Sequence, residues 1–364
     1  VIFTRPYVAY IKCEPNAALE AFAYFMNQWH MALLFLVSGV GAWYSLESRK
    51  ARRFAGERVK RLVVPLIFGT LAIVPVQVYF QRLYYHDFLG SFIRFYPHFF
   101  DGVYPHGNFT WGQLWFLAYL FVFSFLLLPA FLFFKTASGR RALAWLTAIC
   151  ERPGVLFAGA IPLMLAQAAF RAKWPGFQNL YNDWANFALY ITVFLYGYIL
   201  VSEPGFRRAI EKNWRASLLL GIASMSVILF LRQSGNAPQP NYSGAWILYM
   251  LLHGFSSWLW LVGFLGLAQR HLSFNNRILE YANEAALPFY ILHHAAIVAV
   301  AYYATRWQTG IAAKFIIIAA CSLFLALCVY DALVKRLGIF RFLFGMRARP
   351  KVLAQTGPTR KVAR

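Results

Sequence analysis

Charge is the scarcest commodity in this 364-residue chain. Only 13% of its residues are charged, and the 13 Asp and Glu are far outnumbered by 35 Lys and Arg. Soluble domains run to about 25% charged residues, so a large soluble domain is excluded. Cysteine is also rare. Cys13, Cys150, Cys321 and Cys328 have no metal-ligand or redox spacing, and three lie in or beside apolar runs, which argues against a disulfide framework. There is no glycine-rich nucleotide-binding motif and no fixed-period repeat. Val1–Glu20 carries Arg5, Lys12 and Glu14 but no apolar core of the kind a signal peptide needs.

What is abundant is hydrophobicity, at 60% of residues. It gathers into nine runs: Ala21–Leu46, Leu62–Leu83, Gln113–Phe134, Gly154–Phe170, Trp184–Val201, Arg215–Leu231, Ala245–Ala268, Asn283–Thr305 and Ile311–Val334. A bilayer core takes about 20 apolar residues per helix. The runs are continuous, not alternating ten-residue stretches, so they read as helices and not as barrel strands. Pro65, Pro75, Pro129, Pro162 and Pro288 fall in or near these runs, which membrane helices tolerate when neighbours satisfy the freed carbonyls. The expected fold is an all-α polytopic transmembrane bundle of about nine spans over residues 1–344, followed by a basic tail at 345–364.

Lysine and arginine alternate in density from one connection to the next. Arg49–Arg61, Lys135–Arg152, Arg207–Arg215, Arg270–Arg277 and Lys335–Arg364 together hold 26 of the 35. Cytoplasmic flanks of membrane helices carry such an excess. The expected C-terminus is therefore cytoplasmic. Nine spans put the N-terminus of this chain outside, periplasmic in an inner-membrane setting, and suggest that a preceding span is missing. The net charge of +22 sits in short inter-helix connections. It reads as contact with an anionic lipid bilayer, not with nucleic acid.

The longest outer loop, Tyr84–Gly112, is rich in aromatics. It suits either an interfacial belt or stacking against sugar rings. The cluster Arg49, Lys50, Arg52, Arg53, Arg58, Lys60 and Arg61 lies between the first two runs. Arg58 and Arg61 are three apart and share a helix face. Guanidinium groups hold phosphates through paired hydrogen bonds, although arginines that flank a span can also simply snorkel. His293 and His294 lie near mid-bilayer, where an ionisable side chain is expensive and points to function. A hydrogen bond between helices is the plainer use for them. His30 follows Asn27 and Gln28 in the outer half of the first run, with Ser38, Gly39 and Gly41 beyond it. Small residues there also permit close helix approach. Glu284 marks the inner end of the eighth run, and Trp115 the outer end of the third.

Four stretches together resemble the acyltransferase 3 family of integral membrane acyltransferases, and within it the glucan-biosynthesis branch. They are NQWHMALLFLVSG (27–39), RVKRLVVPLIFG (58–69), GQLWFLAYLFVFSFLLLP (112–129) and EAALPFYILHHAAIVAVAYY (284–303). The resemblance extends from about Thr4 to Phe344. It implies transfer of an acyl group, succinyl or acetyl, from cytoplasmic acyl-CoA to a hydroxyl of an extracytoplasmic glucan. Acyl-CoA would then be the donor substrate and a carbohydrate the acceptor, with no permanently bound cofactor and no metal. The family's Arg-x-x-Arg falls on Arg58 and Arg61, on the CoA side. Its Ser-Gly falls on Ser38 and Gly39, and its Tyr-x-x-His on Tyr290 and His293. His293 and His30 are the expected catalytic candidates; Trp115, Asn27 and Glu284 are the expected substrate-binding residues. The chain departs from the family in three places. The Arg and His pair usual in or near the first helix is not supplied before Ala21. Gln113 stands where relatives often have His, and Ala32 where they often have Pro. A transporter or flippase for a lipid-linked sugar or anion is the alternative, since buried histidines and a basic inner mouth would serve it too.

Overall fold

The computed structural model describes residues 10–12, 14–104, 106–272 and 274–346. Arg5, Cys13 and the basic tail from residue 347 onward lie outside the described residues. The chain's regular elements, among the described residues, are helices joined by loops. Its elements are α1 (Ala17–Glu47), α2 (Ala51–Tyr85), α3 (Phe92–His98), α4 (Gly112–Leu126), α5 (Leu128–Phe134), α6 (Ala137–Cys150), α7 (Val155–Phe170), α8 (Trp184–Ser202), α9 (Pro204–Gln233), α10 (Gly244–His271), α11 (Arg277–Ala304), α12 (Ile311–Val334) and α13 (Gly338–Leu343). Seven of these (α1, α2, α8, α9, α10, α11 and α12) are long and apolar enough to cross a membrane, and α4 with α5 makes an eighth if the bent pair is one span. The one remaining expected run, the fourth, is α7, roughly 24 Å long at 1.5 Å per residue, against a hydrocarbon core of ~30 Å. The protein is an all-α, multi-pass membrane bundle.

Local chemistry sets the helix ends and breaks. Asn16, Ser243 and Asn276 cap α1, α10 and α11 by accepting first-turn N–H groups. Prolines account for the irregularities of α2. Pro65 has no N–H for the carbonyl of Arg61, and the helix widens into a π-type turn over Val59–Val63 just before it. Pro75 likewise cannot serve the carbonyl of Leu71. The hydroxyl of Tyr96, in α3, donates to that carbonyl instead at 3.1 Å. Between α4 and α5 the axis bends by 49° ahead of Pro129. A second π-type turn, Tyr330–Val334, ends α12; it has no proline, and nothing in its contacts explains it.

Helices α1, α7, α8, α9 and α10 pack into one group, while α2, α11 and α12 form another. Contacts between the connections define two ends. At the basic end Lys135 Nζ reaches the Leu46 carbonyl, Arg208 pairs with Glu151 at 2.7 Å, and Arg341 pairs with Glu284 at 2.9 Å. At the far end Trp111 Nε1 donates to the Gln178 carbonyl and Tyr242 to that of Ala169. The aromatic loop of the far end is more ordered than its sequence suggests. It contains α3, buries Phe95 and Phe99, and is held by Arg82 through Asn108, the Gly107 carbonyl and Asp87.

Candidate functional site

At the basic end the last three turns of α1 meet the start of α2. Ser38, Gly41, Ser45 and Ser48 recur at helical spacing down one face of α1 and beyond it. With Tyr44, Arg49, Phe54, Glu57, Arg58 and Arg61 they line a cavity of about 340 Å³. That volume lies at the small end of the ~300–1,000 Å³ range of small-molecule sites. Gly39, one residue from Ser38, faces the other way. It packs against Gly197 of α8, where a Cβ on Gly39 would sit 2.1 Å from the Phe194 carbonyl oxygen. The Ser-Gly pair thus has two separate tasks. Glycine lets α1 and α8 touch, and serine is turned to the cavity.

Three arginines face one carboxylate in this lining. Glu57 holds Arg49 in an ion pair and approaches Arg53 Nε at 3.5 Å. The guanidinium of Arg58 lies over the Phe54 ring, 4.8 Å from its centroid. Stacking leaves the N–H edge of a guanidinium available for in-plane acceptors. The widened turn begins directly after Arg58 and includes Arg61, and both side chains line the same cavity. Phosphate is the ligand chemistry such a pair fits.

The four membrane histidines divide into two kinds. His294 Nδ1 meets Gln77 Oε1 at 2.7 Å, tying α11 to α2, and its ring stands edge-on to Tyr10. His253 Nδ1 meets Gln28 Oε1 at 3.0 Å, while its Nε2 meets the Tyr24 hydroxyl at 3.3 Å. Gln28 Nε2 completes that lattice by donating to Ser257 Oγ and the His253 carbonyl. These two histidines join helices. His293 and His30 instead place Nδ1 on their own helix, 2.7 Å from the carbonyls of Tyr290 and Met26. A carbonyl can only accept, so Nδ1 carries the proton and Nε2 keeps its lone pair. That is the tautomer a general base needs.

The remaining expected residues are scattered. Trp115 is buried among Phe35, Tyr119 and Tyr190, as core and not as an interfacial belt. Asn27 is exposed on α1. Glu284 is at the basic end, paired with Arg341. Gln113 Nε2 donates to the Ile291 carbonyl at 3.0 Å while the Tyr290 hydroxyl donates to the Gln113 carbonyl, lacing α4 to α11. The structure therefore brings Ser38, Arg58 and Arg61 together. Neither His30 nor His293 lines that cavity.

Two clusters escaped sequence reasoning. His253 carries the same signal as His293, an ionisable residue within an apolar run. The other cluster closes the far end. Asp183 is fully buried and its Oδ2 accepts from Tyr119 Oη at 2.6 Å, Gln178 N at 2.9 Å and Asn186 Nδ2 at 3.1 Å. Arg171 joins it through Asn186, Gln167 and the Pro175 carbonyl. Burial pushes the Asp183 carboxyl pKa up, against the pull of these hydrogen bonds, and pushes the Arg171 pKa down. These residues are far apart in sequence and only the fold unites them.

Comparison with known families gives one match. The family described as an acyltransferase domain covers residues 7–334. No curated protein and no solved structure matches the chain.

Proposed function

The chain belongs to the acyltransferase 3 family of acyltransferase domains, and from that premise we propose an inner-membrane O-acyltransferase whose donor is cytoplasmic acyl-CoA and whose acceptor is a hydroxyl of an extracytoplasmic glucan. The observation that carries this reading is the cavity in which Ser38 and Gly41 of α1 meet Arg58 and Arg61 of α2. Arg58 and Arg61 hold the phosphates of CoA at the basic end, which is the cytoplasmic one. The positive-inside distribution of Lys and Arg supports that orientation. The thioester arm runs up the Ser38 face of α1. His30 lies eight residues further along, about 12 Å at 1.5 Å per residue, a distance an extended acyl-CoA arm covers.

The acceptor hydroxyl enters from the far end, on the side where Asn27 is exposed on α1. Its oxygen attacks the thioester carbonyl carbon, so a C–O bond forms and the C–S bond breaks. A neutral histidine takes the hydroxyl proton, which passes on to the departing thiolate to give CoA-SH. His293 and His30 are suited to accept that proton or orient the group that does, because each presents an unprotonated Nε2. Glu284, held by Arg341, steadies the basic end of α11 in this scheme. Substrates arriving from opposite sides are the reason for a polytopic fold, since a charged donor crosses only along a protein-lined path.

Incubation of the full-length protein with labelled acetyl-CoA or succinyl-CoA and periplasmic glucans tests the reading. Label on the glucan, lost when Arg58 and Arg61 are both alanine, supports it. Label on neither sugar nor protein contradicts it.

A further inference from the structure

At the far end of the bundle, opposite the arginine cavity, Lys12, Glu14, Tyr84, Thr305, Arg306 and Lys314 line a second cavity of about 340 Å³. Lys314 is its anomaly. The residue is only 6% exposed, so the protein encloses most of it. A snorkelling lysine would instead extend into the open. Among the described residues no carboxylate lies within ion-pair distance of Lys314, and Glu14 is exposed. The stem is enclosed, while the ammonium is not among the buried unpartnered nitrogens and opens onto the cavity.

The helix geometry sharpens the mismatch. Lys314 is in the first turn of α12, whose N-cap residue Gly310 provides no side-chain acceptor. The N-terminus of a helix carries partial positive charge and unsatisfied N–H groups. A cation there is repelled, and an anion is drawn in. Arg306 adds a second cation, its guanidinium stacked 3.8 Å over Tyr302. Lys12 adds a third, and the Tyr84 hydroxyl anchors its backbone by donating to the Lys12 carbonyl at 2.7 Å. Three cations against one carboxylate leave the site two positive charges in excess.

We propose that this cavity is an anion site for a phosphate group, separate from the arginine cavity and independent of the acyl-transfer reading. Lys314 and the first-turn N–H groups of α12 form its floor, and Arg306 and Lys12 its rim. Two phosphate sources fit that chemistry: a lipid headgroup, because the cavity lies where α12 and α2 reach the end of the bundle, and a soluble phosphate.

Thermal unfolding of the full-length protein separates them. Inorganic phosphate is titrated against ionic-strength-matched chloride in detergent, and nanodiscs containing phosphatidic acid are compared with pure phosphatidylcholine. A rise in midpoint with inorganic phosphate assigns a soluble ligand; a rise with phosphatidic acid alone assigns a headgroup. In an Arg58→Ala/Arg61→Ala background, which removes the other phosphate-binding pair, Lys314→Met is expected to weaken the response about tenfold or more. Should Lys314→Met not fold, Arg306→Gln and Lys12→Gln carry the same test. No midpoint shift with either probe, or variants responding like the parent, overturns the proposal.

Discussion

Gly39 and Gly197 hold α1 and α8 in direct backbone contact. A Cβ on Gly39 would stand 2.1 Å from the Phe194 carbonyl oxygen, and one on Gly197 would stand 1.9 Å from that of Leu36. No side chain fits between the two helices at this point. The contact also fixes the rotation of α1, and so turns Ser38 toward Arg58 and Arg61. Gly39→Leu is expected to cost about 1–3 kcal/mol or more, as overpacking does, and to lower the unfolding midpoint in detergent. Ser38→Ala, one residue away, is expected to leave that midpoint nearly unchanged.

His293 and His294 are adjacent but differently employed, and substitution separates them. His294→Leu removes the partner of Gln77 and leaves a buried amide oxygen unsatisfied, at about 1–3 kcal/mol, so it lowers stability. His293→Gln breaks no bond between helices. It is expected to reduce turnover by about 10²–10⁴-fold, the usual contribution of a general base, with acyl-CoA affinity preserved. Turnover and unfolding midpoints measured on both variants check the division.

Asp183 gives stability a pH dependence whose sign follows from its burial. Its folded pKa lies above that of the unfolded chain, so the folded state binds more protons between the two values. Stability therefore falls as pH rises from the ordinary carboxylate range through the folded pKa. Asp183→Asn keeps an acceptor for Tyr119 and Gln178 and removes this component, giving a flatter pH profile of the unfolding midpoint. Asp183→Ala leaves the donors on Tyr119, Gln178 and Asn186 without their shared acceptor, and is expected to be less stable at every pH.

Sequence patterns made the architecture legible because membrane helices announce themselves by length and apolarity. The apolar runs fall on helices in order, but α7 is short and α4–α5 is bent, distinctions that depend on local geometry. Arg58 and Arg61 were legible as a pair from their spacing, whereas the cavity they share with Ser38 was not. That cavity depends on the rotation of α1, which the glycine contact with α8 sets. Trp115 sits at the start of its helix, where tryptophan favours the interface, yet the fold closes over it with Phe35 and Tyr190. The Asp183 cluster was invisible because its partners come from separate segments. Lys314 is a single lysine inside the last apolar run, and its burial cannot be read from composition.

Equilibrium binding of labelled acyl-CoA to the full-length protein tests the central claim most directly. Each charged hydrogen bond to phosphate is worth about 1.5–3 kcal/mol, so Arg58→Ala/Arg61→Ala is expected to weaken binding by at least about a hundredfold. Lysine at both positions should restore it only in part, because an ammonium lacks the paired donors of a guanidinium. Unchanged affinity in the double alanine variant would contradict the account.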